Sequence, residues 1–178
     1  MEFWIIFDRA TGAIVERGSG STGVAAAQEL DDSLGMILVP QAVVRTREID
    51  LDVLRAYLAA SIDAQAEQIR QQFLTPGAGQ GMTYIRKEME ARAWIVDNQA
   101  ATPFLTVEAA ARGMTLAELA AEVIQLADAW VAIGSTIEGL RMGAKTTIAR
   151  AVTFGEVVLA SEVEWAKVGQ IAMTIANT

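Results

Sequence analysis

A run of residues that recur at spacings of three and four is the feature that most constrains this chain. The run extends from Leu116 to Ala151 and fills five heptads, which predicts one long amphipathic helix. At 1.5 Å per residue, such a helix is roughly 55 Å long. Thr115 and Glu118 form a Thr-x-x-Glu capping box, so we expect the helix to begin at Thr115. The positions of the run are Leu116, Leu119, Val123, Leu126, Trp130, Ile133, Ile137, Leu140, Ala144, Thr147 and Ala151.

The positions that flank this run are mostly small and uncharged, whereas a parallel zipper normally carries Glu and Lys there. Small side chains let another helix approach closely over a wide face. We therefore expect a helical hairpin or bundle that packs within the chain, with further burial between subunits. Glycines inside the run cost about 1 kcal/mol each relative to alanine, so we expect something to pack against them or the helix to bend. The flanking positions are Ala120, Glu122, Ala127, Ala129, Gly134, Thr136, Arg141 and Gly143.

Two further amphipathic helices are predicted before the long one. The first begins with Asp50 as N-cap and runs to about Leu74, where Pro76 and Gly77 end it, and the second begins near Thr83. A short helix, "VEAAAR", follows with Thr106 as a candidate cap and Gly113 as its end. The apolar stripe of the first helix is Leu54, Leu58, Ile62, Ala66, Ile69 and Phe73, and that of the second is Met82, Ile85, Met89, Ala93 and Val96.

The first fifty residues predict a small β region. "FWIIFD" and "AIVERG" are two strands around a turn at Gly12, and "MILVP" is a third strand that ends at Pro40. "AVVRTREI" is a candidate fourth strand, and "VAAAQEL" a candidate short helix. A sheet with so little apolar mass is marginal by itself, so we expect it to pack on a helix or on a neighbouring subunit.

The fold class that follows is mainly α, a helical hairpin or bundle with one long heptad-patterned helix, plus a small N-terminal antiparallel β region. We divide the chain into a β-rich docking region (1–49), a helical domain (50–152) and an apolar C-terminal docking segment (153–178). That last segment is predicted as a helix followed by an extended end, with strands through 157–159 and 171–175 as the alternative. So apolar a terminus should dock on a partner or on the β region.

The glycine-rich stretch "TPGAGQGMTYIRK" raises the question of a phosphate site. A P-loop needs Gly-x-x-x-x-Gly-Lys-Ser/Thr between a strand and a helix. Here Gly77, Gly79 and Gly81 follow a helix, and Met82 stands where a lysine is required. We interpret the stretch as a helix–loop–helix connection. Arg86 and Lys87 are then expected to make surface pairs with Glu90 rather than to hold an anion.

The composition excludes most other chemistry. Cysteine and histidine are both absent, which removes the usual zinc, iron–sulfur, haem and copper ligands and the Ser-His and Cys-His pairs. The acidic pairs Asp31–Asp32 and Asp50–Asp52 are typical of a turn and of a helix start. We predict no enzyme activity, no catalytic, cofactor-binding or metal-binding residues, and no small-molecule substrate.

The net charge of −8 and the pI of about 4.6 bear on partners. An acidic surface repels nucleic acid and anionic lipid, so neither is expected as a partner. The N-terminal "MEFWIIFDRA" lacks the basic region of a signal peptide, and no apolar run approaches the roughly 20 residues of a membrane span.

The segment from Tyr57 to Ile148 resembles a helical domain of unknown function found in tailed-phage proteins, including tail-fibre and tail-fibre-assembly proteins. The pieces that carry the resemblance are "LAASIDAQAEQIRQQFLTPGAGQGMTYIRKEMEARAW" and "PFLTVEAAARGMTLAELAAEVIQLADAWVAIGSTIEGLRMGAKTTI". The opening strand, "ATG" turn and strand also resemble the start of phage tail proteins. The family brings no catalytic residues.

The resemblance implies a structural component of a phage virion, most simply a tail, baseplate or fibre-associated adaptor that acts by protein–protein contact. The alternative is a fibre-assembly chaperone that does not stay in the particle. Either would be found in the host cytoplasm during assembly, and the first then in the virion tail. The expected partners are other tail, baseplate or fibre proteins and further copies of this chain, a trimer being one candidate. The interface candidates are Trp4, Phe7, Leu54, Leu58, Ile62, Ile69, Trp130, Ile137, Trp165 and Ile171.

Overall fold

The computed structural model describes residues 1–74, 77 and 79–176, and it is mainly helical with a small N-terminal sheet. Three antiparallel strands are followed by helices, which confirms the predicted fold class. The strands are β1 (Glu2–Asp8), β2 (Ile14–Gly20) and β3 (Leu34–Val39). The helices are α1 (Gln41–Val44), α2 (Leu51–Gln71), α3 (Gln80–Val96), α4 (Pro103–Arg112), α5 (Leu116–Arg150), α6 (Phe154–Ser161) and α7 (Ala166–Ala176).

The sheet has the order β2-β1-β3, with β1 antiparallel to both neighbours. Because side chains alternate along a strand, β1 buries both of its faces. Ile5 and Phe7 join a large apolar core that contains residues of α2, α5 and α6. Trp4 and Ile6 pack on the other face with Ala25. The hairpin turn predicted at Gly12 is confirmed, and this glycine has a φ of 69°.

Two predictions in the first fifty residues are wrong. The candidate fourth strand is instead the short helix α1 and the loop after it, because Val43 is fully buried in the core and Pro40 starts the helix. The candidate helix "VAAAQEL" is a series of turns. There the Glu2 carboxylate accepts hydrogen bonds from the backbone N–H groups of Gly23 (3.0 Å) and Ala25 (2.8 Å).

The helix predictions hold for the start of α2 and for α5, whereas α2 ends at Gln71 instead of near Leu74. The side chain of Asp50 accepts a hydrogen bond from the N–H of Val53 at 3.1 Å, which is the expected N-cap of α2. The capping box at the start of α5 is formed, since the Thr115 hydroxyl accepts from the N–H of Glu118 at 3.2 Å and the Glu118 carboxylate accepts from the N–H of Thr115 at 2.8 Å. The predicted length of α5 is confirmed by its 35 residues. Buried residues of the α2 stripe are Leu54, Leu58, Ile62 and Ala66.

The starts of two other helices differ from the prediction. α3 begins at Gln80, and the Thr83 hydroxyl donates to the Gly79 carbonyl at 3.3 Å instead of capping the helix. α4 begins at Pro103, well before Thr106, because proline suits the first turn of a helix. Gly113 ends α4 as predicted, with a φ of 67°. The predicted stop at Pro76 lies outside the described residues.

The described part of the C-terminal segment forms two helices, α6 and α7, separated by residues 162–165. Thr153 and Glu156 form a capping box for α6, and the ring of Phe154 packs edge-on against Phe7 with 5.8 Å between centroids. Helix after Thr153 is as predicted, whereas both the extended end and the alternative strands are wrong. Residues 166–176 form α7, because Val168, Ile171 and Ile175 recur at helical spacing and Val168 is buried.

The chain forms two compact units. The first contains Met1–Glu67 and Glu138–Trp165, and the second contains Gln68–Ile137 and Ala166–Thr178. These boundaries fall inside α2 and α5, so each of these helices contributes residues to both units. The three-part division at 49/50 and 152/153 stays a prediction about domains.

Candidate protein-interaction surface

Helix α3 has an inner face that packs within the second unit. Ala91 is fully buried there, and it belongs to a small core with Leu105 and Ala109 of α4 and Leu119 and Val123 of α5. Trp94, one turn further along α3, packs against the same core. This packing fixes which side of α3 faces inward.

A buried carboxylate reinforces the same orientation. Glu90 is 2% exposed, and its Oε2 atom accepts hydrogen bonds from the N–H groups of Phe104 (2.9 Å) and Leu105 (3.2 Å). These N–H groups belong to the first turn of α4, where no side chain of α4 itself caps the helix. Glu90 therefore caps α4 from the neighbouring helix. Its other oxygen accepts from the Arg86 guanidinium at 3.0 Å, so the predicted pair of Arg86 with Glu90 is confirmed.

The remaining charges of α3 are also paired within the chain. Lys87 does not bind Glu90 as predicted, and instead its ammonium lies 2.6 Å from the Glu108 carboxylate of α4. This contact lowers the pKa of Glu108. Arg92 binds Glu88 at 2.8 Å and also reaches Asp128 of α5, and the bond to Asp128 is the main cause of a raised pKa for Arg92.

The outer face of α3 is apolar and uncovered. The residues predicted to share one face do so, and we call Met82, Ile85, Met89, Ala93 and Val96 the α3 stripe. Every member is exposed, and the four large side chains are 77%, 62%, 59% and 89% exposed in chain order. Ordinary surface residues of this kind occur singly, whereas a contiguous apolar row marks an interaction surface.

A second exposed apolar side chain lies on the long helix α5. Leu126 lies on the predicted heptad seam of α5, yet it is 63% exposed, whereas Val123 and Ile133 on the same seam are buried. Trp130, one turn beyond Leu126, is half-buried, and its ring lies 3.4 Å from where a Cβ on Gly134 would stand. The packing predicted for glycines of this run is therefore found at Gly134, whereas a Cβ on Gly139 or Gly143 would meet nothing within 4 Å.

The ten interface candidates from the sequence occupy different environments in the single chain. Those with almost no exposed surface are Trp4, Phe7, Leu54, Leu58, Ile62 and Ile137. Those that are half-buried are Ile69, Trp130, Trp165 and Ile171. The first group fills the interior of the chain, so in this conformation it offers no surface to a partner. The half-buried group keeps partial exposure, and its role at an interface stays a prediction.

Two of the three tryptophans among the interface candidates are held within the first unit. The Trp4 indole lies against Gly18 so closely that a Cβ there would overlap it, and its buried Nε1 has no acceptor among the described residues. The Nε1 of Trp165 donates to the Oε1 of Gln65 at 2.8 Å. The two indoles therefore stabilise the fold of this unit.

A cluster of charged side chains in the first unit joins α2 to α5. Asp63 accepts from Lys145 at 2.6 Å and also binds Arg141, whose guanidinium binds Glu138 at 2.6 Å. The bond to Lys145, followed by that to Arg141, lowers the pKa of Asp63. The two acids balance the two bases, so the cluster has no net charge with which to attract an ion.

Among residues 1–74, 77 and 79–176, no group of three or more acidic side chains is arranged to hold a metal ion. None of the described helices is both long and apolar enough to cross a membrane. In the glycine-rich connection, a Cβ on Gly79 or Gly81 would meet nothing within 4 Å, and Gly77 has a φ of 146°, which favours glycine. Pro76 lies outside the described residues.

No protein-family model matches this chain, and neither does a curated protein sequence or a solved structure. The resemblance to the tailed-phage domain therefore stays an expectation from the sequence motifs.

Proposed function

We propose that this protein is a structural component of a tailed-phage virion, a tail, baseplate or fibre-associated adaptor that works by protein–protein contact. The observation that carries the contact part is the α3 stripe, whose four large apolar side chains are each at least 59% exposed. Leaving such a row in water is unfavourable, and burial against a partner removes that cost. The phage part rests on the motifs between Tyr57 and Ile148.

The inner face of α3 supports the same proposal. Glu90, Lys87 and Ala91 hold the helix to α4 and α5, so the stripe is presented on a supported helix. A surface held in this way loses little conformational entropy on binding, which favours association.

A chaperone that binds fibre subunits and then leaves is the second candidate. Two of the four large side chains in the stripe are methionines, Met82 and Met89. Methionine is flexible and polarisable, and surfaces rich in it adapt to several partners. An adaptable surface suits transient binding to fibre subunits.

Quantitative mass spectrometry of purified particles from a phage that encodes this chain separates the two candidates. A fixed number of copies per particle is expected for a structural component. Absence from particles, together with co-purification of the fibre protein from infected cells, would replace that proposal with the chaperone. Absence from both would overturn the phage assignment.

A further inference from the structure

The spacing of the α3 stripe is symmetric, which is a property that binding to an unrelated protein does not require. Its members are separated by three, four, four and three residues, so the stripe reads the same in both directions from Met89. Met82 and Val96 are 14 residue steps apart, so the five positions span about 21 Å of helix, nearly four full turns. A row of this kind stays on one face of a straight helix.

From this symmetry we propose that the α3 stripe is a two-fold interface at which the α3 helices of two copies of this chain pack antiparallel, with the axis at Met89. This inference rests on the proposed function in one respect, that the chain works by protein contact. In this arrangement every apolar member meets an apolar member of the other copy. Met89 meets Met89, Ile85 meets Ala93, and Met82 meets Val96.

The sizes of the facing side chains also match. The large Ile85 lies opposite the small Ala93 at two places related by the axis, and such large–small pairs let helices interdigitate. The result is an isologous contact, in which both copies use the same patch. A different protein would have to reproduce this same alternation of sizes, whereas a second copy carries it already.

The charges beside the stripe are compatible with a second copy although the whole chain carries −8. From Gln80 to Val96 three basic and two acidic side chains give α3 a charge of +1 (3 − 2), so two such helices repel little. On one edge of the stripe stand Glu88 and Arg92, which are 33% and 46% exposed. In the antiparallel arrangement, Glu88 of one copy comes within two residues of Arg92 of the other, so opposite charges face each other across this edge.

The size of the stripe sets the expected strength of the pairing. Four large side chains contribute roughly 300–400 Å² of apolar surface per copy, about half of the ~800 Å² per partner in a standard interface. We therefore expect a dimer that dissociates on dilution, with a Kd on the order of 10 μM.

Introduced cysteines test the geometry, because the chain contains none of its own. Oxidised Met89→Cys should form a disulfide-linked dimer, since this residue lies at the axis and facing helices bring Cα atoms within disulfide range. A mixture of Ile85→Cys and Ala93→Cys should form the mixed dimer, whereas Ile85→Cys alone should cross-link at least tenfold less. Val107→Cys, which is 72% exposed on α4, is the matched control and should stay monomeric.

Equal cross-linking of Met89→Cys and Val107→Cys would overturn the proposal, and so would efficient linkage of Ile85→Cys to itself. A wild-type chain that is monomeric at about 0.5 mM by light scattering, well above a Kd of about 10 μM, would also overturn it. If that monomer nevertheless binds fibre or baseplate protein through the stripe, the proposed function survives and only the second copy is excluded.

Discussion

At the scale of single residues, the capping of α4 by Glu90 is the contact that the sequence least predicts. The motif "RKEMEA" gives two acids at positions 88 and 90, and nothing in their spacing says which one turns inward. The tertiary packing of Ala91 decides it, since this alanine brings the neighbouring carboxylate against the start of α4. Thr102 at the N-cap of α4 is of a residue type that often caps helices, so only the structure shows that its side chain does not cap this one.

We expect Glu90→Ala to lower the free energy of unfolding by about 1–3 kcal/mol, because it leaves the buried N–H of Leu105 and the part-buried N–H of Phe104 without an acceptor. Glu90→Gln keeps one carbonyl oxygen and should cost less. Glu88→Ala, which removes a partly exposed carboxylate paired with Arg92, is the control and should stay within about 1 kcal/mol of the parent. Urea unfolding followed by circular dichroism measures all three, and equal losses at both positions would argue against the cap.

Two glycines meet where the β1–β2 turn approaches α6. A Cβ on Gly155 would lie 2.6 Å from the Cα of Gly12, and the reverse holds for Gly12. Neither glycine belongs to a motif that marks this contact, because the two are far apart in sequence.

We expect Gly155→Ala to destabilise the fold by about 1–3 kcal/mol through overpacking, even though alanine favours helix. Gly169→Ala is the matched control in α7, where a Cβ meets nothing within 4 Å, and it should be neutral or stabilising by up to about 1 kcal/mol. Thermal unfolding gives the sign of each change. Stabilisation at both positions would show that the Gly12–Gly155 contact is looser than the structure indicates.

At the scale of elements, local signals predict where helices lie, and tertiary packing decides what covers them. The sequence correctly predicts the caps at Asp50 and Thr115 and the periodicity of α2 and α5. These features depend only on residues that are close together in the sequence. Val43 in α1 shows the limit, since β-branched residues favour a strand until burial selects a helix. Periodicity also places the residues of the α3 stripe on one face of the helix, but it does not predict that this face is exposed.

The pairing of α2 with α5 through Asp63 should make stability depend on pH. The pKa of this carboxyl in the folded chain is lowered from its ordinary value of 3.8, mainly by the bond to Lys145. Because the pKa in the folded chain is lowered, the stabilisation from the ionised Asp63 carboxylate is fully present above about pH 4–5. It is lost as the pH falls through the folded pKa.

Asp63→Asn should therefore weaken the dependence of unfolding free energy on pH below about 5, while also lowering stability at pH 7. Urea unfolding at pH 7, 5 and 3 checks this, and parallel curves for wild type and Asp63→Asn would exclude the ion pair as a source of stability.

At the scale of the whole molecule, the chain combines well-packed elements with an uncovered apolar row. Six of the ten interface candidates from the sequence are buried in the interior of the chain. None of the ten is a member of the exposed α3 stripe. Apolar periodicity marks residues that need to be buried, and it is the same whether the same chain or a partner covers them. The sequence therefore cannot distinguish core residues from interface residues. Only the three-dimensional structure distinguishes burial within the chain from burial against a partner.

Sedimentation equilibrium of the full chain over a wide concentration range tests contact through the α3 stripe most directly. Wild type should pass from monomer to dimer as concentration rises, and Val107→Glu, a control on the exposed face of α4, should do the same. Ile85→Glu should stay monomeric with unchanged circular dichroism, because it places a charge at an apolar contact made twice across the axis. Association of Ile85→Glu equal to that of wild type would show that the stripe is not the surface that holds the copies together.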